Sequence, residues 1–407
     1  MLSRKKQIVL IFIACYLPGF RGGGPTRTIS NLVDSLSDEF DFKIITGDRD
    51  LGDDQPYQTV QIDDWNQVGK ASVYYLPNDS SMKNLANIIN NTDYDCMYIN
   101  SFFSPHFSIK PLLLRRLNLI KKSPVILAPR GEFSKAALGI KSFKKNLFIA
   151  AARIFKIYQD VFWHASTEFE KADISAGLQN RLGIPEHLDS IYIASNISSS
   201  NFDADLKPVN NLILKLCFLS RISAMKNLDY ALRVLANVKE KVIFDIYGPK
   251  ESEEYWAECV ALINELPSHI TVNYCGSVEN QNVRRTLSDY DLLFVPTRGE
   301  NFGHVFAEAL SVGLPILLSD QTPWRNLASY KAGWDISLDN PEKFVEIIES
   351  YSKILFENRL EYRCSARDLY RSRCESKEII QNNIELFQHA FNDVPIRNKN
   401  IGSLHLK

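Results

Sequence analysis

Arg221 and Lys226 stand five residues apart in "FLSRISAMKNLDYAL", after an apolar run and before a helical pattern. Two cations at a strand end can hold a leaving diphosphate and stabilise the charge that grows on it. Solvated surface charge would place them there equally well. Farther along, "DLLFVPTRGENFGHVFAEALSVG" reads as strand, glycine-containing loop and helix. Glu300 falls in the loop and Glu308 on the helix, and Gly303 between them allows close backbone approach. Carboxylates suit sugar hydroxyls because each oxygen accepts directional hydrogen bonds. The ordinary alternative is a helix-start acid favoured by the dipole, followed by a solvated helix glutamate. For Glu308 the apolar neighbours Phe306, Ala307, Ala309 and Leu310 weaken that alternative. A third feature is the run Gly22, Gly23, Gly24 ahead of Pro25 and a helical pattern. Backbone N–H groups at such a helix start receive diphosphate oxygens well. The spacing is not the dinucleotide fingerprint G-x-G-x-x-G, and a plain tight turn would also use glycine.

These residues must be positioned by the elements between which they fall. Short apolar runs alternate with longer helical patterns: 8–15, 42–46, 73–76, 96–100, 125–128, 161–165 and 190–194 in the first half. The polar segment "NFDADLKPVNN", 201–211, reads as a linker. The rhythm restarts with strands at 212–220, 242–248, 270–276, 291–296 and 315–319, interleaved with helical stretches at 227–238 and 340–355. Such βα alternation predicts mostly parallel sheets covered by helices, hence an α/β chain of two Rossmann-like domains. The domains are expected at 1–200 and 212–372, with a cleft between them and ligands gathered at the carboxyl ends of the strands. A strong helix at 373–391 precedes a polar tail, 392–407, expected to fray.

The chain of 407 residues is too long for one growing core and suits two domains. With 45% hydrophobic residues and a net charge of -1 it is globular, and the balance argues against a bulk nucleic-acid binder. The seven cysteines are scattered and form no close ligand pair, which favours buried thiols in a reducing compartment over a metal or disulfide framework. The start, "MLSRKKQIVLIFIACYLPG", imitates a signal peptide, but its short apolar core ends in Pro-Gly. A first buried strand is the preferred reading. No apolar run reaches about 18 residues, so no spanning helix is expected.

Together, "SRISAMKN" and "PTRGENFGHVFAEALSVGLPILLSD" resemble the paired signatures of retaining glycosyltransferases of family 4, which have the two-Rossmann GT-B fold with a deep cleft. Glu300 and Glu308 match that family's E-x7-E pattern, the glycine loop fits, and Asn196 in "YIASNIS" resembles an asparagine near the end of its first domain. The likeness extends over nearly all of 8–390. "ILAPRGEFSKAALGIKSFKK" and "WHASTEFEKADI" look like a branch common in bacterial exopolysaccharide and O-antigen synthesis.

The resemblance implies that Arg221 and Lys226 grip the donor diphosphate and that Glu308 accepts from the nucleotide ribose. Glu300, with the backbone of Asn301, Phe302, Gly303 and His304, would hold the donor sugar. Gly23 and Gly24 would approach the phosphates from the first domain, and Gly276 to Val278 would border the base. No cofactor or essential metal is implied, and the helix 373–391 would return to the first domain. In one respect the chain departs from the family. Many members carry a His-Gly pair near the reacting sugar, whereas here Arg130 precedes Gly131, and arginine is a poor general base. His106, Arg130 and Asn196 are the candidates for sugar or acceptor contacts, and His164 suits a structural role as readily.

The resembling branch further implies a polyprenyl-diphosphate-linked glycan acceptor and a cytoplasmic enzyme, peripheral on the inner face of the cytoplasmic membrane. In "KAALGIKSFKKNLFIAAARIFKIY", 135–158, Lys135, Lys141, Lys144, Lys145, Arg153 and Lys156 interleave with apolar residues and no acid occurs. An interfacial helix against anionic lipid needs that composition, and a helix with a solvated basic face shares it. Other readings are a non-catalytic sugar-nucleotide-binding protein and a GT-B enzyme of another reaction type, such as a sugar-nucleotide epimerase.

Overall fold

The computed structural model describes residues 5–139, 142–184, 191–198, 206, 213–354 and 356–392. It comprises two compact units, Met1–Ile197 with Lys377–Lys407, and Ser198–Ser376. The segment read as a linker, 201–211, lies outside the described residues except for Leu206.

The first unit is built on eight strands: β1 (Gln7–Phe12), β2 (Phe40–Gly47), β3 (Trp65–Val68), β4 (Ala71–Leu76), β5 (Cys96–Ile99), β6 (Val125–Leu127), β7 (Phe162–Ala165) and β8 (Ile191–Ile193). Their order is β3-β4-β2-β1-β5-β6-β7-β8, parallel throughout except where β3 meets β4. The apolar start of the chain becomes β1, in the interior of the sheet. Its residues alternate between the two faces: Leu10 and Phe12 pack into one core, Val9 and Ile11 into the other. A strand buried on both faces must be apolar without interruption, and this gives "IVLIF" its likeness to a leader.

Helix Lys377–Asn392 closes the second of those cores. Phe387 stacks edge-on against Phe40 and Tyr98, with ring centroids 5.4 Å away in each case. This helix is separate from a preceding one, Phe356–Cys374, which belongs to the second unit. The helix expected at 373–391 thus begins at Lys377, after a break at Glu375 and Ser376.

In the second unit β9 (Leu214–Leu219), β10 (Val242–Tyr247), β11 (Ile270–Gly276), β12 (Leu292–Val295), β13 (Ile316–Ser319) and β14 (Gly333–Ile336) form a parallel sheet in the order β11-β10-β9-β12-β13-β14. The order reverses between β9 and β12, so those two strands flank the topological switch point, where an open α/β sheet receives its ligands. Two strands escaped the sequence reading. β3 ("WNQV") and β14 ("GWDI") are four-residue edge strands with polar residues or glycine, too short for a period to register. Among the described residues, no helix is long and apolar enough to cross a membrane.

Candidate functional site

In the second unit the switch point brings two of the expected site residues together. Lys226 follows β9 and Glu300 follows β12, and Lys226 Nζ donates to Glu300 Oε2 at 2.6 Å. Their side chains are only 12% and 20% exposed, so the pair is largely withdrawn from water. Removing one partner of such a pair strands the other charge.

The two loops are fastened to each other by their neighbours. Asn227 adopts a left-handed conformation, φ 65°, ahead of helix Leu228–Leu235. Asparagine tolerates that region better than most residues. Its amide donates to the Pro296 carbonyl at 2.9 Å, and its Oδ1 accepts from Arg298 Nε at 2.9 Å. The Met225 carbonyl accepts from Arg298 N at 2.8 Å and from Thr297 Oγ1 at 3.1 Å. Glu300 N is tied to the Gln321 carbonyl at 3.1 Å, and Ser319 Oγ donates to the Thr297 carbonyl, which adds the end of β13 to the assembly.

Helix His304–Ser311 opens beyond this loop, with Gly303 before it and no side-chain cap. Its first N–H groups therefore form a donor-rich helix start. Trp324 Nε1 donates to the Phe302 carbonyl at 2.6 Å and fixes the approach to that helix. Glu308 lies one turn in, half-buried, on a helix that packs against Phe356–Cys374. Burial pushes the Tyr370 phenol on that neighbouring helix up to about 12; Arg284 opposes the shift and Glu308 adds to it. Gly276 ends β11 with no atom within 4 Å of where a side chain would begin, and Val278 packs partly buried against the core.

Arg221 is placed differently from Lys226. The bond from Ile222 N to the Pro249 carbonyl holds its end of the loop beside β10, and its guanidinium meets Glu251 at 3.2 Å, with both side chains over 40% exposed. Exposed pairs of this kind contribute little, so the guanidinium can exchange partners at small cost.

The first unit gathers its own candidates at the carboxyl ends of its strands. Gly23, φ 68°, leads into helix Gly24–Leu36, whose first turn holds Pro25. Asp50 fastens the preceding loop, accepting from Phe20 N at 2.9 Å and from Arg21 N at 3.1 Å. His106 is half-buried beside Lys110, whose Nζ is 3.1 Å from Nδ1; burial and then that ammonium lower its pKa.

Arg130 is engaged on every nitrogen. Nε and Nη2 donate to Asn100 Oδ1 at 3.1 and 2.8 Å, Nη2 also to Tyr98 Oη at 2.6 Å, and Nη1 to Asn196 Oδ1 at 2.9 Å. The turn it occupies is bracketed by two carboxylates. Glu170 accepts from Gly131 N at 2.7 Å and from Ser166 N at 2.8 Å, while Glu132 accepts from Ser101 Oγ at 2.9 Å and from the backbone of Phe102 and Phe103. Burial raises the pKa of Glu132 and those hydrogen bonds oppose the rise.

His164 completes this network from beneath. It is buried, with Nε2 donating to the Ala194 carbonyl at 2.8 Å, which leaves Nδ1 to accept from Tyr98 Oη at 2.7 Å. Burial, and secondarily Arg130, lowers its pKa to about 3. An unfolded imidazole titrates near 6.5, so between about pH 3 and 6.5 the unfolded chain holds the extra proton. Stability from this residue is therefore complete above about 6.5 and falls as the pH drops towards 3. His164→Gln is expected to remove about one proton from the uptake on unfolding across that window, read as a flatter slope of unfolding free energy against pH. An unchanged slope would show that His164 is not held neutral.

The sequence reading singled out neither Asn227 and Arg298, which join the second unit's two loops, nor Tyr98, Asn100, Glu132 and Glu170. Asn227 left a signal, an asparagine at the head of a helical pattern. The others are recognisable only once strand neighbours are known.

Comparison with known proteins agrees with this architecture. Residues 207–365 match the family model for glycosyl transferases group 1. An uncharacterized 41.2 kDa protein in the cps region of Klebsiella pneumoniae is 25% identical over 322 residues, covering 76% of this chain and 84% of that one. Anabaena HepE, solved in complex with UDP-glucose, superposes with TM-score 0.69 at 13% identity over 94% of this chain and 99% of its own. WaaG, a glycosyltransferase involved in lipopolysaccharide biosynthesis, superposes with TM-score 0.64 at 12% identity over 93% and 98%. The chain has the two-Rossmann GT-B fold, and its residues 207–365 relate it to the group 1 glycosyl transferases.

Proposed function

We propose that this enzyme moves a sugar from a nucleotide-sugar donor to a hydroxyl of a glycan or lipid-linked glycan intermediate in surface polysaccharide synthesis, keeping the anomeric configuration. The observation that carries the proposal is the withdrawn Lys226–Glu300 pair at the switch point of the second sheet. The UDP-glucose held by HepE, a protein of the same fold, supports the donor class.

An ammonium has three N–H groups; with one on Glu300, two remain for oxygens of the donor diphosphate. Arg221 adds a second cation when it leaves Glu251. Glu300 and the N–H groups from Asn301 to His304 take the sugar hydroxyls, Glu308 takes the ribose, and Gly276 to Val278 borders the base. Gly23 and Gly24 supply further N–H groups from the first unit, and His106, Arg130 and Asn196 lie on the sugar and acceptor side. The acceptor is a polyprenyl-diphosphate-linked glycan at the cytoplasmic face of the membrane, met by an enzyme in peripheral contact with anionic lipid.

In the reaction the bond from the anomeric carbon to the diphosphate oxygen breaks, and the acceptor oxygen bonds to that carbon on the same face. The departing diphosphate, stabilised by Lys226 and Arg221, takes the acceptor's proton. A double displacement would need a carboxylate about 5–5.5 Å from its acid/base partner around the reacting carbon. Glu300 and Glu308 are assigned to hydroxyls instead. The cations and helix-start N–H groups supply the positive field that a divalent ion would otherwise provide. Turnover is expected to persist in excess chelator, and proton NMR of freshly formed product is expected to show the donor's anomeric configuration. Inversion, or activity restored only by magnesium or manganese, would overturn this mechanism.

A further inference from the structure

Helix Ser142–Ile154 of the first unit turns its apolar residues in two directions. Ile149 and Ala152 enter the core. Phe143, Leu147 and Ile154 point outward and are 81%, 66% and 75% exposed, followed by Phe155 at 64%. With exposed Ala150 they occupy positions 143, 147, 150 and 154, the spacing of one helical face. This ridge runs about 16 Å along the helix axis. Water-facing ridges of this size on a folded domain mark interaction surfaces.

The charges within this segment are all of one sign. Lys144, Arg153 and Lys156 are exposed, and no acid occurs from 133 to 158. Lys145 contributes less than its place in the sequence implies. Its Nζ donates to the Ala137 carbonyl at 2.5 Å and lies 5.0 Å from the centre of the Phe103 ring, so it serves the domain itself. Lys141 lies outside the described residues. A protein partner would ask for acids on its own surface alone, whereas a linear apolar ridge edged by cations suits the plane of an anionic bilayer, with side chains in the acyl boundary and ammonium groups among the headgroups.

We infer that Phe143, Leu147, Ala150, Ile154 and Phe155 insert into an anionic phospholipid surface, and that Lys144, Arg153 and Lys156 hold the headgroups around them. The inference rests on the lipid-linked acceptor proposed above and deepens it. It names the docking surface and makes apolar insertion, rather than charge attraction alone, the source of attachment.

The test uses flotation of the full-length protein with phosphatidylcholine–phosphatidylglycerol vesicles. Wild type is expected to float and to retain part of its binding in high salt. Phe143→Ser with Leu147→Ser is expected to lower the partition coefficient about tenfold or more. Lys145→Ala is expected to float as wild type does. Phe143→Trp is expected to become quenched by brominated lipid, which gives an independent reading of insertion. Flotation of the double serine variant at wild-type level would overturn the inference, as would complete loss of wild-type binding in high salt. A wild-type dimer that the serine variant converts to monomer would assign the ridge to a second copy of the chain and overturn it likewise. Binding of UDP, followed by thermal shift, reports on the donor site separately. A variant that loses the vesicle but keeps UDP bears on docking alone, and wild type that floats without binding UDP fails the donor reading alone.

Discussion

Lys226→Ala is expected to lower turnover about 10²-fold or more, the scale of losing a donor that acts on charge developing in the transition state. The effect should fall mainly on kcat, because the diphosphate is most negative as the sugar departs. Arg221→Ala removes the second cation and is expected to act in the same direction. Glu308→Ala should instead raise the KM for donor, since a ribose hydroxyl is bound alike before and during reaction. Glu300→Ala should impair both quantities.

Lys226 has a structural side as well, and the assay must separate it. Its ammonium neutralises a half-buried Glu300, so the alanine variant leaves that carboxylate without its cation. Lys226→Ala combined with Glu300→Gln removes the stranded charge. Because Glu300→Gln is itself expected to impair turnover, the double variant reports on stability alone. Recovery of its urea midpoint assigns the stability loss to the stranded charge. A low kcat of Lys226→Ala, under conditions where that single variant is fully folded, assigns the turnover loss to chemistry. Near-normal kinetics in Lys226→Ala with the true substrates would end the assignment.

The distance between what the sequence shows and what the fold adds is clearest in this pair. Residues 221–226 and 300–308 each read as strand-end segments, because apolar runs bounded by polar loops are legible locally. Nothing local says that β9 lies beside β12, and the 74-residue separation of Lys226 from Glu300 closes only through that neighbourhood. Arg221 shows the opposite limit. It shares a loop with Lys226, yet the ladder-like bond of Ile222 to Pro249 sends it towards β10 and Glu251.

Arg130 was legible as a departure from the His-Gly pattern of the resembling family. Its role as a hub was not, because its partners come from β5 and from the segment after β8. The ridge on Ser142–Ile154 was visible as composition. Only the folded helix distinguishes Lys145, turned inward, from Lys144, turned out.

Gly303→Ala is expected to destabilise the second unit by about 3 kcal/mol and to weaken donor binding at least tenfold, combining a left-handed backbone penalty with overpacking. At φ 77° an alanine is strained whatever space surrounds it, and space is lacking. A side-chain carbon placed there would lie 2.3 Å from Phe306 Cδ2 and 3.1 Å from Glu300 Cγ. Phe306 is 1% exposed in the core and cannot swing aside, so the loop must yield. Its displacement would shift Glu300 away from Lys226 and turn the first N–H groups of His304–Ser311 off their aim.

Gly276→Ala supplies the control, because Gly276 has nearly the same φ, 76°, with nothing within 4 Å of the added carbon. It should lose only the backbone contribution of about 1–2 kcal/mol. The difference between the two urea midpoints therefore isolates the contact with Phe306 and Glu300. Donor affinity, read by isothermal calorimetry with a nucleotide sugar, shows whether that contact is what holds the carboxylate in place. Equal stability losses in the two variants, with unchanged affinity at 303, would mean that the loop absorbs a side chain freely and that Gly303 does not set the geometry of Glu300.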